Sequence, residues 1–159
     1  PMLNVRHSEL NLSSNVLAPK DLRQPLRVLL DGRNQLLPSL NCLQPFEHNL
    51  AGGVLLVNGI YNKHQFEQHV SQWQAPFNGN KLDLEKVMSK LGEMQLNHIW
   101  VEAGAKLAGA LLQNKLIDEL ILYQAPKLIG AAGQDLFDTM QIELMDQIID
   151  LRWTDIRQV

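Results

Sequence analysis

At 159 residues with a 45% hydrophobic content, the chain has the size of one domain with a real core. A net charge of −3 and the lack of a basic stripe argue against nucleic acid as a partner. Apolar stretches such as 51–57 are far too short to span a bilayer, so no membrane partner is expected.

Residues 1–24 mix Asn, Ser and Pro clusters and read as loop, with Arg6 as an isolated cation. Leu26 to Leu30 is a continuous apolar run with one basic interruption, ending at Asp31-Gly32; it reads as a buried parallel strand and a turn. Val54 to Val57, after Gly52-Gly53, reads as a second buried strand. Asn62 to Val70 is expected to form a short helix, and Gln72 to Phe77 a strand entering the Asn78-Gly79-Asn80 turn. Asp83 to Met94 is a stronger helix. Asp83 is its expected N-cap, and Leu84, Val87, Met88 and Leu91 form one apolar face.

The stretch from His98 to Gly130 organises the chain. His98-Ile99-Trp100-Val101 reads as a strand ending on Glu102, followed by the small-residue turn Ala103-Gly104-Ala105. A helix with Leu107, Leu111 and Leu112 follows, then a second apolar run from Leu120 to Tyr123. Strand, glycine turn, helix and strand make a βαβ unit. A helix starting near Gly104 offers unpaired N–H groups and the positive end of its dipole, which suits phosphate. Ala105, Ala108, Gly109 and Ala110 make a face of small residues, fit either for packing or for a cofactor. The turn is neither G-x-G-x-x-G nor a P-loop, because Gly109 is followed by Ala110 and not by Lys and Ser or Thr. Glu102, at the carboxyl end of a strand, stands where α/β proteins bind ligands; it also suits a helix N-terminus as a complement to the dipole.

The one cysteine, Cys42, cannot form an internal disulfide, which fits a reducing compartment and hence the cytoplasm. No P-C-x-x-C segment is present, so a zinc nucleobase deaminase is not encoded in these residues. The five histidines show no i,i+4 pair, and no metal site is expected.

The segment 101–112, followed by 116–120 and by Tyr123 to Gly130, closely resembles the reductase domain of the bifunctional riboflavin-biosynthesis deaminase/reductase. Pro1 to Arg6 and Pro25 to Asp31 resemble two further segments of that family, so the likeness runs nearly end to end. The resemblance implies a dihydrofolate-reductase-like α/β fold with a mostly parallel central sheet flanked by helices, and antiparallel strands near the C-terminus. It implies NADPH-dependent reduction of 5-amino-6-(5-phosphoribosylamino)uracil, a phosphorylated small molecule, by a homodimer. It assigns Leu3, Arg6 and Glu102 to the substrate, with the Arg6 guanidinium on its phosphate. It assigns Gly104, Ala105, Lys106, Leu107, Ala108, Gly109 and Ala110 to the cofactor. Gly32 stands where the family commonly carries Ser, so only its backbone is left for a cofactor contact. No catalytic acid is singled out.

Pro1 precedes Met2, and the alternating run 149–159 stops without a turn. Residues 1–159 are therefore expected to be a single reductase domain cut from a longer chain, weakly active or inactive alone. Trp153 on the final run marks an edge for a second copy to cover. Two alternatives stay open: a pteridine or dihydrofolate reductase of the same fold, and a non-catalytic domain that keeps only the fold.

Overall fold

The computed structural model describes residues 25–44, 52–130, 133–138 and 142–157. Leu3 and Arg6 lie outside them. Strands β1 (Arg27–Asp31) and β2 (Val54–Asn58) are buried at every position. Continuous burial is what a parallel strand covered on both faces requires. The two pair in parallel, from Arg27 opposite Val54 to Asp31 opposite Asn58. Strand β3 (Val70–Gln74) adds in parallel on the far side of β2, giving the order β1-β2-β3.

Side-chain alternation splits the core into two layers. Val28, Leu30, Leu55 and Val57 face helices α1 (Leu84–Glu93) and α2 (Ala105–Gln113), through Val87 and Leu91 of the first and Leu107 and Leu111 of the second. Leu29, Val54 and Leu56 face the opposite way, toward Leu43, with Leu36, Cys42 and Phe66 packed around them. Among the described residues, α1 and α2 thus lie on one face, and the 3-10 turn Asn41–Leu43 with loop residues Leu36 and Phe66 packs on the other. Asp83 caps α1 as expected, its Oδ1 accepting from the Lys86 N–H at 3.1 Å.

At the amino end of the sheet, Arg27 is 8% exposed. Its guanidinium donates to the carbonyls of Cys42 at 2.9 Å and Gln44 at 2.6 Å. Desolvation lowers its pKa from the ordinary value, and the Coulombic influence of Cys42 opposes that shift.

Several expected elements differ. Residues 62–69 form no helix; the chain turns there, with the Val70 N–H donating to the Glu67 carbonyl at 2.9 Å, and Val70 opens β3. Pairing with β2 suits β-branched Val70 better than a helix would. The expected strand 72–77 is divided at Ala75-Pro76. Beyond it, β4 (Phe77–Asn78) pairs antiparallel with β5 (Lys81–Leu82) around Gly79, whose φ is +63°. This mid-chain hairpin is the antiparallel pairing among the described residues, and none of the described residues near the C-terminus takes part in one.

His98–Val101 and Leu120–Tyr123 form no strand, and neither do the described residues 149–157. Ile99 and Val101 still pack against the helix-side core while Trp100 is 48% exposed, so the alternation is real. An extended run becomes a strand only when a neighbour takes its N–H and C=O groups, and no described strand pairs with these runs.

Candidate functional site

The carboxyl end of the parallel sheet is where the turns converge. Asp31 closes β1, and its buried carboxylate accepts from the N–H groups of Gln35 and Leu36, both at 2.8 Å. Asn58 closes β2 and donates from Nδ2 to Asn34 Oδ1 at 2.7 Å. Asn34, at φ +55°, passes a hydrogen bond on to the Tyr61 carbonyl at 2.9 Å. A left-handed conformation is tolerated by Asn better than by most residues. These bonds hold the turn after β1 against the loop after β2.

A cleft of about 560 Å³ opens beside that turn, within the range usual for small-molecule sites. Gly32 and Arg33 form one wall, and the β4–β5 hairpin with Phe77, Lys81 and Leu82 forms another. The start of α1 contributes Asp83 and Glu85. One face of α2 closes the cleft with Lys106, Leu107, Ala110, Gln113 and Asn114, which recur at the spacing of a single helix face. A Cβ built at Gly32 would lie 3.2 Å from Leu82 Cγ, so β5 packs directly over this backbone.

Of the residues singled out in the sequence, the cleft gathers Gly32, Lys106, Leu107 and Ala110. Gly104, Ala105, Ala108, Gly109 and Glu102 are not among its lining residues. Gly104 is the N-cap of α2 and supplies no capping side chain; a Cβ there would meet nothing within 4 Å. Neither its φ of −72° nor crowding from the chain requires glycine. Gly109 is different. It is buried, a Cβ there would run into the Asp138 carbonyl, and the Asp138 N–H donates to the Ala105 carbonyl at 3.1 Å. The small face of α2 therefore has a packing role at Gly109. Glu102 is half-buried, with Oε1 accepting from Trp100 Nε1 at 3.2 Å.

Arg33, Phe77 and Lys81 line the cleft although no sequence motif marks them. The Asn78-Gly79 turn signals a hairpin, but its seat over the end of β1 is a product of tertiary packing. No Ser, Thr, Cys, His or Tyr lines the cleft among the described residues, and no group of metal-ligating side chains is found among them. A second cavity of about 470 Å³, between the end of α2 and residues 142–150, contains none of the residues assigned to substrate or cofactor by the resemblance.

Known proteins resemble the chain over most or all of its length. The RibD C-terminal domain family model matches residues 1–159. Riboflavin biosynthesis protein RibD of Escherichia coli K12 is 36% identical over 100% of the chain, which spans 42% of that protein. The 5-amino-6-(5-phosphoribosylamino)uracil reductase of Buchnera aphidicola from Acyrthosiphon pisum is 32% identical over 86% of the chain and 64% of that protein. RibD of Haemophilus influenzae is 36% identical over 86% of the chain and 35% of its own length. The chain thus covers well under half of the two RibD proteins. With a family model matched from end to end, on a parallel α/β sheet with a cleft at its carboxyl edge, the chain belongs to the RibD C-terminal domain family.

Proposed function

We propose that the chain carries the reductase function of riboflavin biosynthesis: NADPH-dependent reduction of 5-amino-6-(5-phosphoribosylamino)uracil to the ribitylamino product. The observation that carries this reading is the cleft at the carboxyl end of β1, which joins Gly32 to the Lys106-Leu107-Ala110 face of α2. Ligands of open α/β sheets bind at that edge. The name of the Buchnera relative supplies the substrate.

The residues present fit a nicotinamide dinucleotide. Apolar Leu82, Leu107 and Ala110 offer surface to flat rings, while Arg33, Lys81 and Lys106 offer positive charge to phosphates. The cofactor, when bound, supplies the hydride. The chain's own part is to place the dinucleotide along α2 and to exclude water with the β4–β5 hairpin. Glu102 and Arg6 are proposed for the substrate, Arg6 through its phosphate, and Leu3 beside them. Gly104 and Ala105 are proposed to receive the diphosphate on the open N-terminus of α2, where no side chain caps the N–H groups. A second copy is proposed to cover the exposed apolar side chains of residues 120–157, among them Trp153 at 76% exposure. The cytoplasm is the proposed compartment.

Titrating the chain with NADPH, following the quenching of protein fluorescence, tests the reading. Saturable binding is expected, and any oxidation of the bound cofactor should follow addition of the phosphoribosylaminouracil and not of a dihydropterin. Absence of dinucleotide binding, or turnover of the dihydropterin alone, overturns it.

A further inference from the structure

Gly59 follows β2 directly and is buried. Its φ is not positive, so the backbone does not call for glycine there. Its surroundings do. A Cβ built at Gly59 would overlap the ring of Phe77 at Cζ, Cε1 and Cε2, so the tip of the ring rests on bare backbone. Phe77 opens β4, lines the cleft and is 39% exposed. This one side chain therefore joins the loop after β2 to the wall of the cleft.

The rest of the hairpin is held independently. The Asp83 N–H donates to the Pro76 carbonyl at 2.9 Å and closes the base of the hairpin. The Ala75 N–H donates to the Asn58 carbonyl at 2.7 Å and ties that base to the end of β2. Leu82 packs on the helix-side core and over Gly32. A methyl at Gly32 would be met by a small shift of Leu82, whereas a methyl at Gly59 would occupy the place of the Phe77 ring. Since these bonds fix the backbone on both sides of β4, the ring is the part that yields. It turns about its own torsions, and the open space beside it is the cleft.

We infer that Gly59 is a positioning residue for the cleft: its bare backbone is the socket that holds the Phe77 ring against the wall and out of the space a ligand fills. The inference rests on the dinucleotide reading above. Gly59 acts through Phe77 and touches no ligand itself. A ligand entering a chain with a methyl at position 59 has to push the ring away from its preferred torsions, which weakens binding by about three- to tenfold.

The test is an NADPH titration of the chain, of Gly59→Ala, of Phe77→Leu and of the double variant, with fluorine NMR of the same chains carrying fluorophenylalanine. The Phe77 signal is the one lost in Phe77→Leu. In Gly59→Ala that signal is expected to move, NADPH affinity to fall about three- to tenfold, and the thermal melt to stay cooperative. Leucine lacks the Cε and Cζ atoms that would overlap the new methyl. The double variant is therefore expected to bind NADPH as tightly as Phe77→Leu alone, a rescue that general damage to the fold would not produce. An unmoved Phe77 signal, unchanged affinity in Gly59→Ala, a lost cooperative melt, or a loss that Phe77→Leu does not relieve each overturns the inference and leaves the dinucleotide reading in place. Failure of the parent chain to bind NADPH overturns both.

Discussion

The first half of the described chain and the stretch after α2 use similar apolar residues to opposite effect. Leu29, Leu56 and Val57 are fully buried, whereas Leu128, Ile129, Met145 and Trp153 are each more than three-quarters exposed. Hydrophobicity does not separate the two sets; strand pairing does. Runs 27–31 and 54–58 have each other as parallel neighbours, which satisfies their backbones and lets both faces take side chains. Runs 120–123 and 149–157 have no ladder partner among the described residues, and their apolar side chains stay at the surface. A helix can satisfy its own backbone, which is why α1 and α2 form where the sequence puts them.

This contrast can be broken by deleting equal volume from each region. Leu56→Ala, at 0% exposure between both strand neighbours, should cost about 2–5 kcal/mol in a denaturant melt. Leu151→Ala, at 65% exposure, should stay within about 0.5 kcal/mol. Similar losses at the two positions would mean that the C-terminal stretch is as well packed as the sheet.

Arg27→Met probes the amino end of the same sheet. It keeps the apolar stem but removes the donors to the Cys42 and Gln44 carbonyls. A loss of about 1–3 kcal/mol is expected, because partly buried acceptors are left unmet. A neutral result would show that water reaches those carbonyls.

The join between the regions is sharpened by two glycines of opposite sign. Gly109→Ala should destabilise by about 1–3 kcal/mol, since the new methyl meets the Asp138 carbonyl. Gly92→Ala, where nothing lies within 4 Å, should stabilise α1 by up to about 1 kcal/mol. Gains at both sites would show that residues 135–138 do not rest on α2.

Much of this architecture is legible in the residues. The uninterrupted apolar runs of β1 and β2, the Asp83 cap and the α2 periodicity each report a local preference that the fold keeps. Val70 misleads because four-residue spacing to Phe66 imitates a helix, while its pairing with Val54 decides the outcome. The runs at 98–101 and 120–123 mislead because a strand is a property of a pair, and a single run carries no information on its partner. At the site, Gly32, Lys106, Leu107 and Ala110 are reachable through the family resemblance. Arg33, Phe77 and Lys81 are not, since their meeting depends on how the hairpin lies over Gly32.

The cleft between the β1 turn, the β4–β5 hairpin and α2 is the proposed dinucleotide site. Ala110→Trp tests it most directly, because Ala110 lines the cleft from the middle of α2 and an indole there fills the space a ligand needs. NADPH affinity should fall at least tenfold while the thermal melt of the unliganded chain stays cooperative. Unchanged NADPH affinity in a folded Ala110→Trp chain would place the cofactor elsewhere.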